Sequence, residues 1–203
     1  MRKLFLGMSG VLFVLFLIFH LIVNLTSVIS RGVYETAWLN IKGIPFIQII
    51  IPVFIAGIVL HILLAGMFCF RRWTTVSRDR KAEGYEKEKG NVLKTALSLS
   101  GIIIGLSVIH IEQFWIKVQL LDESPYDIAT TLFYNGFYVA VYALWIIALY
   151  YYLSSGFWGL YRPAPTGRPE QSPWQTVSMV LALLIAAGFI FIPVYFYLGF
   201  GYL

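Results

Sequence analysis

The sequence predicts an all-α integral membrane protein, a bundle of five transmembrane helices whose N-terminus is cytoplasmic. Of the 203 residues, 59% are hydrophobic and 12% are charged, and the mean hydropathy is +0.78. Such a chain is too apolar to dissolve as a globule. The apolar residues also fall into five runs, each near or above the ~20 residues that cross a bilayer as a helix. We interpret residues 1–203 as a single membrane domain.

The five apolar runs follow one another along the whole chain. They cover about residues 4–27, 46–70, 95–116, 131–158 and 176–198. The first run follows Met1-Arg2-Lys3 and is similar to a signal peptide, but it is too long and has no small-residue cleavage site. We therefore expect it to remain as the first helix of the bundle.

The connections between the runs predict the orientation of the bundle. Lys and Arg are concentrated around the second connection, whereas the third connection is mainly acidic. By the positive-inside rule, the N-terminus is then cytoplasmic and the C-terminus external. The stretch from Arg78 to Lys89 carries charges of both signs, which is typical of a solvated helical extension or of a surface for a cytoplasmic partner. The first connection, 28–45, is predicted to be an ordered external loop.

All three histidines lie within apolar runs. With ~1.5 Å of rise per residue, His20 and His110 fall at a similar depth in the outer half of the membrane, and His61 falls in the inner half. Two imidazoles that face each other at one depth are what a b-type haem requires, with one nitrogen ligand on each face of the iron. The alternative is that each histidine only forms a hydrogen bond with a neighbouring helix.

Several short motifs occur in a characteristic order and spacing. They are His20-Leu-Ile-Val-Asn24, His61, His110 followed by Phe114-Trp115, Gly156-Phe-Trp158, and Phe189 to Tyr197. Over nearly the whole chain, this arrangement resembles the cytochrome b subunit of succinate:quinone oxidoreductases. The closest resemblance is to the single-subunit, five-helix membrane anchor of succinate dehydrogenases and menaquinol:fumarate reductases. The resemblance implies two haems, one held by the first- and third-helix histidines and the other by the second- and fourth-helix histidines.

The chain departs from this pattern at the fourth ligand. The family has a histidine four residues before the Gly of the Gly-Phe-Trp motif, and this chain has Tyr152 there. A phenolate buried opposite a neutral histidine is a costly arrangement in lipid. We therefore expect one haem b, held by His20 and His110. The second haem is expected to be absent, or held by His61 alone with Tyr152 as a neighbour, and His61 is also a candidate for quinone binding.

The chain has no residues for dicarboxylate or flavin chemistry. It contains a single Cys, no iron–sulfur cluster motif and no glycine-rich dinucleotide fingerprint. The resemblance implies that a flavoprotein subunit and an iron–sulfur subunit on the cytoplasmic face carry these functions. The chain itself would pass electrons between them and menaquinone in the bacterial cytoplasmic membrane. Glu35 falls near a carboxylate that the family places beside an outer quinone and proton site, and its simpler interpretation is a solvated loop carboxylate.

Two other functions are compatible with the residues. One is a haem-bearing membrane subunit of another respiratory oxidoreductase, such as a hydrogenase or a formate dehydrogenase. The other is a transporter or structural anchor whose histidines bind no iron. An optical spectrum distinguishes the haem-free anchor from the haem proteins, and the co-purifying subunits distinguish the two respiratory functions.

Overall fold

The computed structural model describes residues 2–78, 85–160 and 173–200, and helices make up almost all of this part of the chain. The helices are α1 (Arg2–Ile29), α2 (Arg31–Lys42), α3 (Pro45–Arg78), α4 (Tyr85–His110), α5 (Lys117–Leu120), α6 (Pro125–Phe133), α7 (Gly136–Leu160) and α8 (Pro173–Tyr197), with a π-helical turn at Ile111–Ile116 between α4 and α5. No β-strand occurs among the described residues. The all-α prediction is confirmed for these residues.

Four of the described helical segments are long and apolar enough to cross a membrane. They are Met8–Ile29, Ser98–Leu120, Gly136–Ser154 and Thr176–Tyr197. In α3, the apolar stretch found among the described residues is Pro52–His61, which is shorter than a crossing. The chain is therefore a multi-pass membrane protein, and the fifth crossing stays a prediction.

The first connection is a helix rather than the predicted loop. Ser30 has an extended backbone (φ −169°, ψ 159°), and its side chain accepts a hydrogen bond from the backbone N–H of Val33. A serine in this position satisfies one of the free N–H groups at a helix N-terminus. The chain therefore ends α1 at Ile29 and starts α2 one residue later, a boundary that the hydrophobic pattern does not reveal.

The fourth apolar run also begins differently from its predicted start at Thr131. Ser124 caps α6, Pro125 follows it at the first helical position, and α6 ends at Phe133. Asn135 then accepts a hydrogen bond from the N–H of Phe137 through its Oδ1 atom. These caps divide the apolar run into α6 and α7, because local hydrogen bonds to the backbone favour a turn over a continuous helix.

The face of α1 that points into the bundle carries both polar and apolar side chains. Residues spaced by three or four positions share one face of a helix. On α1 such a row consists of Ser9, Phe13, Leu17, His20, Asn24 and Ser27, of which Phe13, Leu17 and Ser27 are buried. The same face therefore contributes to the core and brings polar groups into the apolar interior.

The core brings α1, α7 and α8 together. Its buried members are Phe13, Val14 and Leu17 from α1, Leu149 and Leu153 from α7, and Ala182 and Ile185 from α8. α4 packs against α3 and α7, and buried Ile103 meets buried Ala148 at the contact with α7. This packing places the helices that carry His20, His110 and Tyr152 around one interior.

The close fit of this core can be tested at Ala182, which is fully buried. We expect Ala182→Leu to lower the free energy of unfolding by about 1–3 kcal/mol, because extra methylene groups in a packed core force neighbouring side chains to move. The measurement is denaturant unfolding in mixed micelles, followed by circular dichroism. Ala187→Leu, an exposed position on the same helix, is the matched control. Equal stability of the two variants would contradict the packing described above.

Candidate functional site

His20 on α1 and His110 on α4 face each other inside the bundle. Their ring centroids lie 5.9 Å apart and their planes are at 83°. Phe16 stacks on His20 at 5.3 Å, and Phe189 lies 5.8 Å from the same ring. Phe114 lies 5.0 Å from the His110 ring. The two imidazoles that were assigned a common depth from the sequence are thus neighbours in an aromatic environment.

The ring nitrogens of His20 have no short hydrogen bond within the described part of the chain. Asn24 donates through Nδ2 to the backbone oxygen of His20 at 2.7 Å. The same Nδ2 atom lies 3.4 Å from both Nδ1 and Nε2 of the ring. A neutral imidazole has a lone pair on only one ring nitrogen, so at most one of these two contacts can be a hydrogen bond, and at 3.4 Å it would be a long one. Among the described residues, the His20 ring nitrogens therefore have no partner closer than Asn24 at 3.4 Å.

His110 has one engaged ring nitrogen. Its Nδ1 lies 3.3 Å from the hydroxyl of Tyr142, and that hydroxyl donates a hydrogen bond to Oε1 of Gln113 at 2.8 Å. The Nε2 atom of His110 makes no hydrogen bond to any described residue. One nitrogen of the ring is thus tied to a polar network, and the other is free for a ligand.

Trp145 contributes a spare hydrogen-bond donor beside this pair. Its Nε1 atom is buried and has no acceptor among the described residues. The Trp145 ring lies 5.2 Å from His110 and 5.7 Å from Tyr142. Buried donors are nearly always paired, because an unpaired one costs about 1–3 kcal/mol. The unpaired N–H of Trp145 therefore suits a site that binds a ligand with a hydrogen-bond acceptor atom.

His61 on α3 has a contrasting environment, in which both ring nitrogens are engaged. Nδ1 lies 2.7 Å from the Ser9 hydroxyl on α1, and Nε2 lies 3.1 Å from the Tyr152 hydroxyl on α7. The His61 side chain is 8% exposed, and the Phe13 ring packs beside both the His61 and Tyr152 rings. Tyr152 is thus a hydrogen-bonding neighbour of His61, and the histidine connects three helices.

The two histidine sites lie at different levels of the bundle. Ser9, beside His61, is eleven residues before His20 on α1, a separation of about 16 Å along the helix. Tyr142, beside His110, is ten residues before Tyr152 on α7, which gives about 15 Å. The structure thus brings His20 and His110 together and keeps His61 apart from both.

Glu35 lies on α2, outside the membrane spans, in a cluster of charged groups. Its Oε1 atom accepts hydrogen bonds from Nε of Arg31 at 2.8 Å and from the Ser124 hydroxyl at 3.3 Å. Arg31 also donates to Asp127 at 2.8 Å. The hydrogen bond to Glu35, followed by that to Asp127, raises the pKa of Arg31. Glu35 is therefore a fixed carboxylate between α2 and α6 rather than a freely solvated one, and its side chain is 36% exposed.

The residues of these sites that were not found from the sequence include Ser9, Gln113, Tyr142, Trp145 and Arg31. Helical spacing could have indicated two of them, since Ser9 shares the inward face of α1 with His20, and Gln113 lies three residues after His110. No sequence signal identifies Tyr142 or Trp145 among the many aromatic residues. Ser154 donates to the backbone oxygen of Tyr151 within its own helix, and the side chain of Ser155 lies outside the described residues.

Comparisons with protein-family models, characterised proteins and solved structures found no match to this chain. Within the described residues, no group of three or more His, Cys, Asp or Glu side chains is placed to hold a bare metal ion. The candidate site is the imidazole pair of His20 and His110. His61, with its partners Ser9 and Tyr152, forms a second polar site.

The hydrogen bonds of His61 can be tested by stability measurements. We expect Ser9→Ala and Tyr152→Phe each to lower the free energy of unfolding by about 0.6–1.7 kcal/mol, the range found for hydrogen bonds between membrane helices. The matched control is Ser107→Ala, which removes a hydroxyl whose hydrogen bond among the described residues is to the backbone oxygen of Ile103 in its own helix. If Ser9→Ala were no more destabilising than Ser107→Ala in bilayer-like micelles, His61 would not connect the helices energetically.

Proposed function

We propose that this protein is the haem-bearing membrane anchor of a succinate:quinone oxidoreductase, which passes electrons between cytoplasmic flavoprotein and iron–sulfur subunits and menaquinone. The observation that carries the proposal is the facing pair His20 and His110, with ring centroids 5.9 Å apart. The partners and the quinone come from the resemblance of the sequence motifs.

The imidazole pair suits the two faces of a b-type haem. The ring centroids are 5.9 Å apart, so one iron atom bound to a nitrogen of each ring, with metal–nitrogen bonds of about 2 Å, would fit between the two imidazoles. The neighbouring Phe16 and Phe189 rings suit an apolar macrocycle, and the unpaired Nε1–H of Trp145 suits an acceptor at its edge.

His20 and His110 would hold the iron, one from α1 and one from α4. The haem supplies one-electron transfer when it is bound. The chain provides two imidazole ligands on separate helices, so that binding depends on the correct packing of α1 against the rest of the bundle. Phe16, Phe114 and Phe189 exclude water from the imidazoles, and a dry surrounding is one of the means by which a protein tunes a haem.

The quinone is proposed to bind at the level of His61 and Tyr152, in place of the second haem of the family. Electrons that enter from the cytoplasmic side reach this inner level first. The Tyr152 hydroxyl can form a hydrogen bond with a quinone carbonyl, and the His61 ring can transfer a proton. The alternative is an outer quinone site at Glu35, whose carboxylate is fixed by Arg31 and Ser124.

The lengths of α3 and α4 support a cytoplasmic docking surface. α3 has 34 residues, so it is about 51 Å long and exceeds the ~30 Å hydrocarbon core. α4 begins at Tyr85, well before its apolar span starts at Ser98. The two helices pack together, and we propose that their extensions bind the iron–sulfur subunit with the N-terminus of the chain on the same side. Residues 79–84 of the charged stretch lie outside the described residues.

The haem assignment is tested by histidine variants in the intact complex. We expect His20→Ala and His110→Ala each to abolish the same low-spin b-type spectrum, because six-coordination needs a ligand on both faces of the iron. His61→Ala is the control and should retain the spectrum. A loss in only one of the first two variants would contradict the pairing. Co-purification of a flavoprotein and an iron–sulfur subunit is also expected, and hydrogenase or formate dehydrogenase subunits in their place would contradict the succinate assignment.

The number of haems is tested by the pyridine haemochrome assay. We expect one haem per chain, because both ring nitrogens of His61 are hydrogen-bonded and Tyr152 is a poor opposite ligand. The His61 and Tyr152 ring centroids are 6.4 Å apart, close to the separation of the His20 and His110 rings. We therefore expect Tyr152→His to raise the ratio to two. Tyr151→His, an exposed position on the same helix, should leave it at one, and two haems in the unaltered protein would contradict the assignment.

A further inference from the structure

We infer that Tyr142 and Gln113 are positioning residues that fix the tautomer of His110, with the proton on Nδ1 and the lone pair on Nε2. The inference concerns the hydrogen bonds of the chain itself. It rests on the proposed function only in naming haem iron as the ligand of Nε2.

The tautomer follows from the number of protons on the Tyr142 hydroxyl. A tyrosine hydroxyl has one proton to donate and can also accept hydrogen bonds. Tyr142 donates that proton to Oε1 of Gln113 at 2.8 Å. Towards Nδ1 of His110, at 3.3 Å, the hydroxyl can therefore only accept. Nδ1 must then carry a proton, and because a neutral imidazole carries only one, Nε2 retains its lone pair.

The surroundings of Tyr142 hold its hydroxyl in place. The side chain is 7% exposed. The Phe133 ring meets it edge-on at 5.0 Å, and Trp145 lies 5.7 Å away on the next turn of α7. Rings packed in this way leave few alternative positions for the hydroxyl, and so its two partners are set by the packing of α7 against α4 and of α6 against α7 and the π-helical turn.

The acceptor is presented by an irregular piece of backbone. The π-helical turn Ile111–Ile116 begins directly after His110 and contains Gln113. Such turns are rare, occur mostly as single turns within α-helices, and are frequent at functional sites. Here the turn lies between His110 and the end of its membrane span. It carries Gln113, whose side-chain amide oxygen accepts the hydrogen bond from the Tyr142 hydroxyl.

The network makes the two facing histidines chemically different. A histidine that binds a metal usually donates its other N–H to a fixed acceptor, which holds the ring orientation and raises its basicity, and loss of that acceptor typically lowers metal affinity 10–100-fold. His110 has such an acceptor in Tyr142. His20 has only the long contacts to Asn24. His110 is therefore the oriented ligand of the pair.

The test uses the full chain labelled with 15N-histidine in lipid bilayers, without added haem. The chain has three histidines, so His20→Ala and His61→Ala variants assign the His110 signals. We expect protonated Nδ1 and unprotonated Nε2 in the unaltered protein. Gln113→Met releases the Tyr142 proton to donate to Nδ1, so the tautomer should reverse. Tyr142→Phe removes the hydroxyl that bonds Nδ1 of His110, so a mixture of tautomers is expected.

The second measurement is haem affinity, taken from the transfer of haem to apomyoglobin. We expect Tyr142→Phe and Gln113→Met each to weaken binding by about 10–100-fold and to shift the haem midpoint potential. The matched control is Tyr138→Phe, one turn earlier on α7, whose hydroxyl makes no hydrogen bond with the described residues. It should change neither measurement.

The outcomes separate this inference from the proposed function. Unchanged His110 signals in both Gln113→Met and Tyr142→Phe would overturn the inference, whether or not the protein binds haem. Tautomer changes as described, in a protein whose native complex contains no haem, would support the inference and overturn the proposed function. Tautomer changes together with weaker haem binding would support both.

Discussion

The structure depends on the constraint that a polar group within the bilayer must find its partner in the protein, because hydrocarbon offers none. On α1 this is met in two ways. Asn24 and Ser27 donate to the backbone of their own helix, to His20 and Asn24 respectively. Ser9 instead bonds His61 on α3. Because these side chains share one face, the constraint also decides which side of α1 turns towards the bundle.

The same constraint separates two kinds of imidazole. His61 has two short hydrogen bonds to other helices, and a satisfied histidine of this kind joins helices. His20 and His110 lie 5.9 Å apart with incompletely satisfied rings, in a place where an unpaired donor, Nε1 of Trp145, is also buried. Hydrogen-bonding groups without partners are concentrated at this one level of a well-packed bundle. The best explanation is that these groups bind a ligand there.

Much of the architecture follows from the sequence because hydrophobicity summed over about 20 residues outweighs any local preference. The depth of each histidine also follows, since the rise per residue of a helix is constant. The short helices α2 and α6 were missed because the caps at Ser30 and Ser124 set their boundaries, and caps add no hydrophobic signal. Contacts between side chains on different helices were missed for another reason. Depth is fixed along one helix, but the contact of His110 with Tyr142 depends on how two helices are rotated about their axes.

The ion pairs on α2 have a mechanical consequence. Arg31 at one end of α2 bonds Asp127 in the first turn of α6, and Lys42 at the other end bonds Asp122 in the loop before α6. α2 takes part in three salt bridges, of which one lies within the helix and two connect it to the region around α6. The segments that connect the membrane-spanning helices are therefore linked by charged side chains at this end of the bundle. The level of His61 lies about 16 Å from that of His20 along α1, and so it is further from this charged link than the level of His20 is.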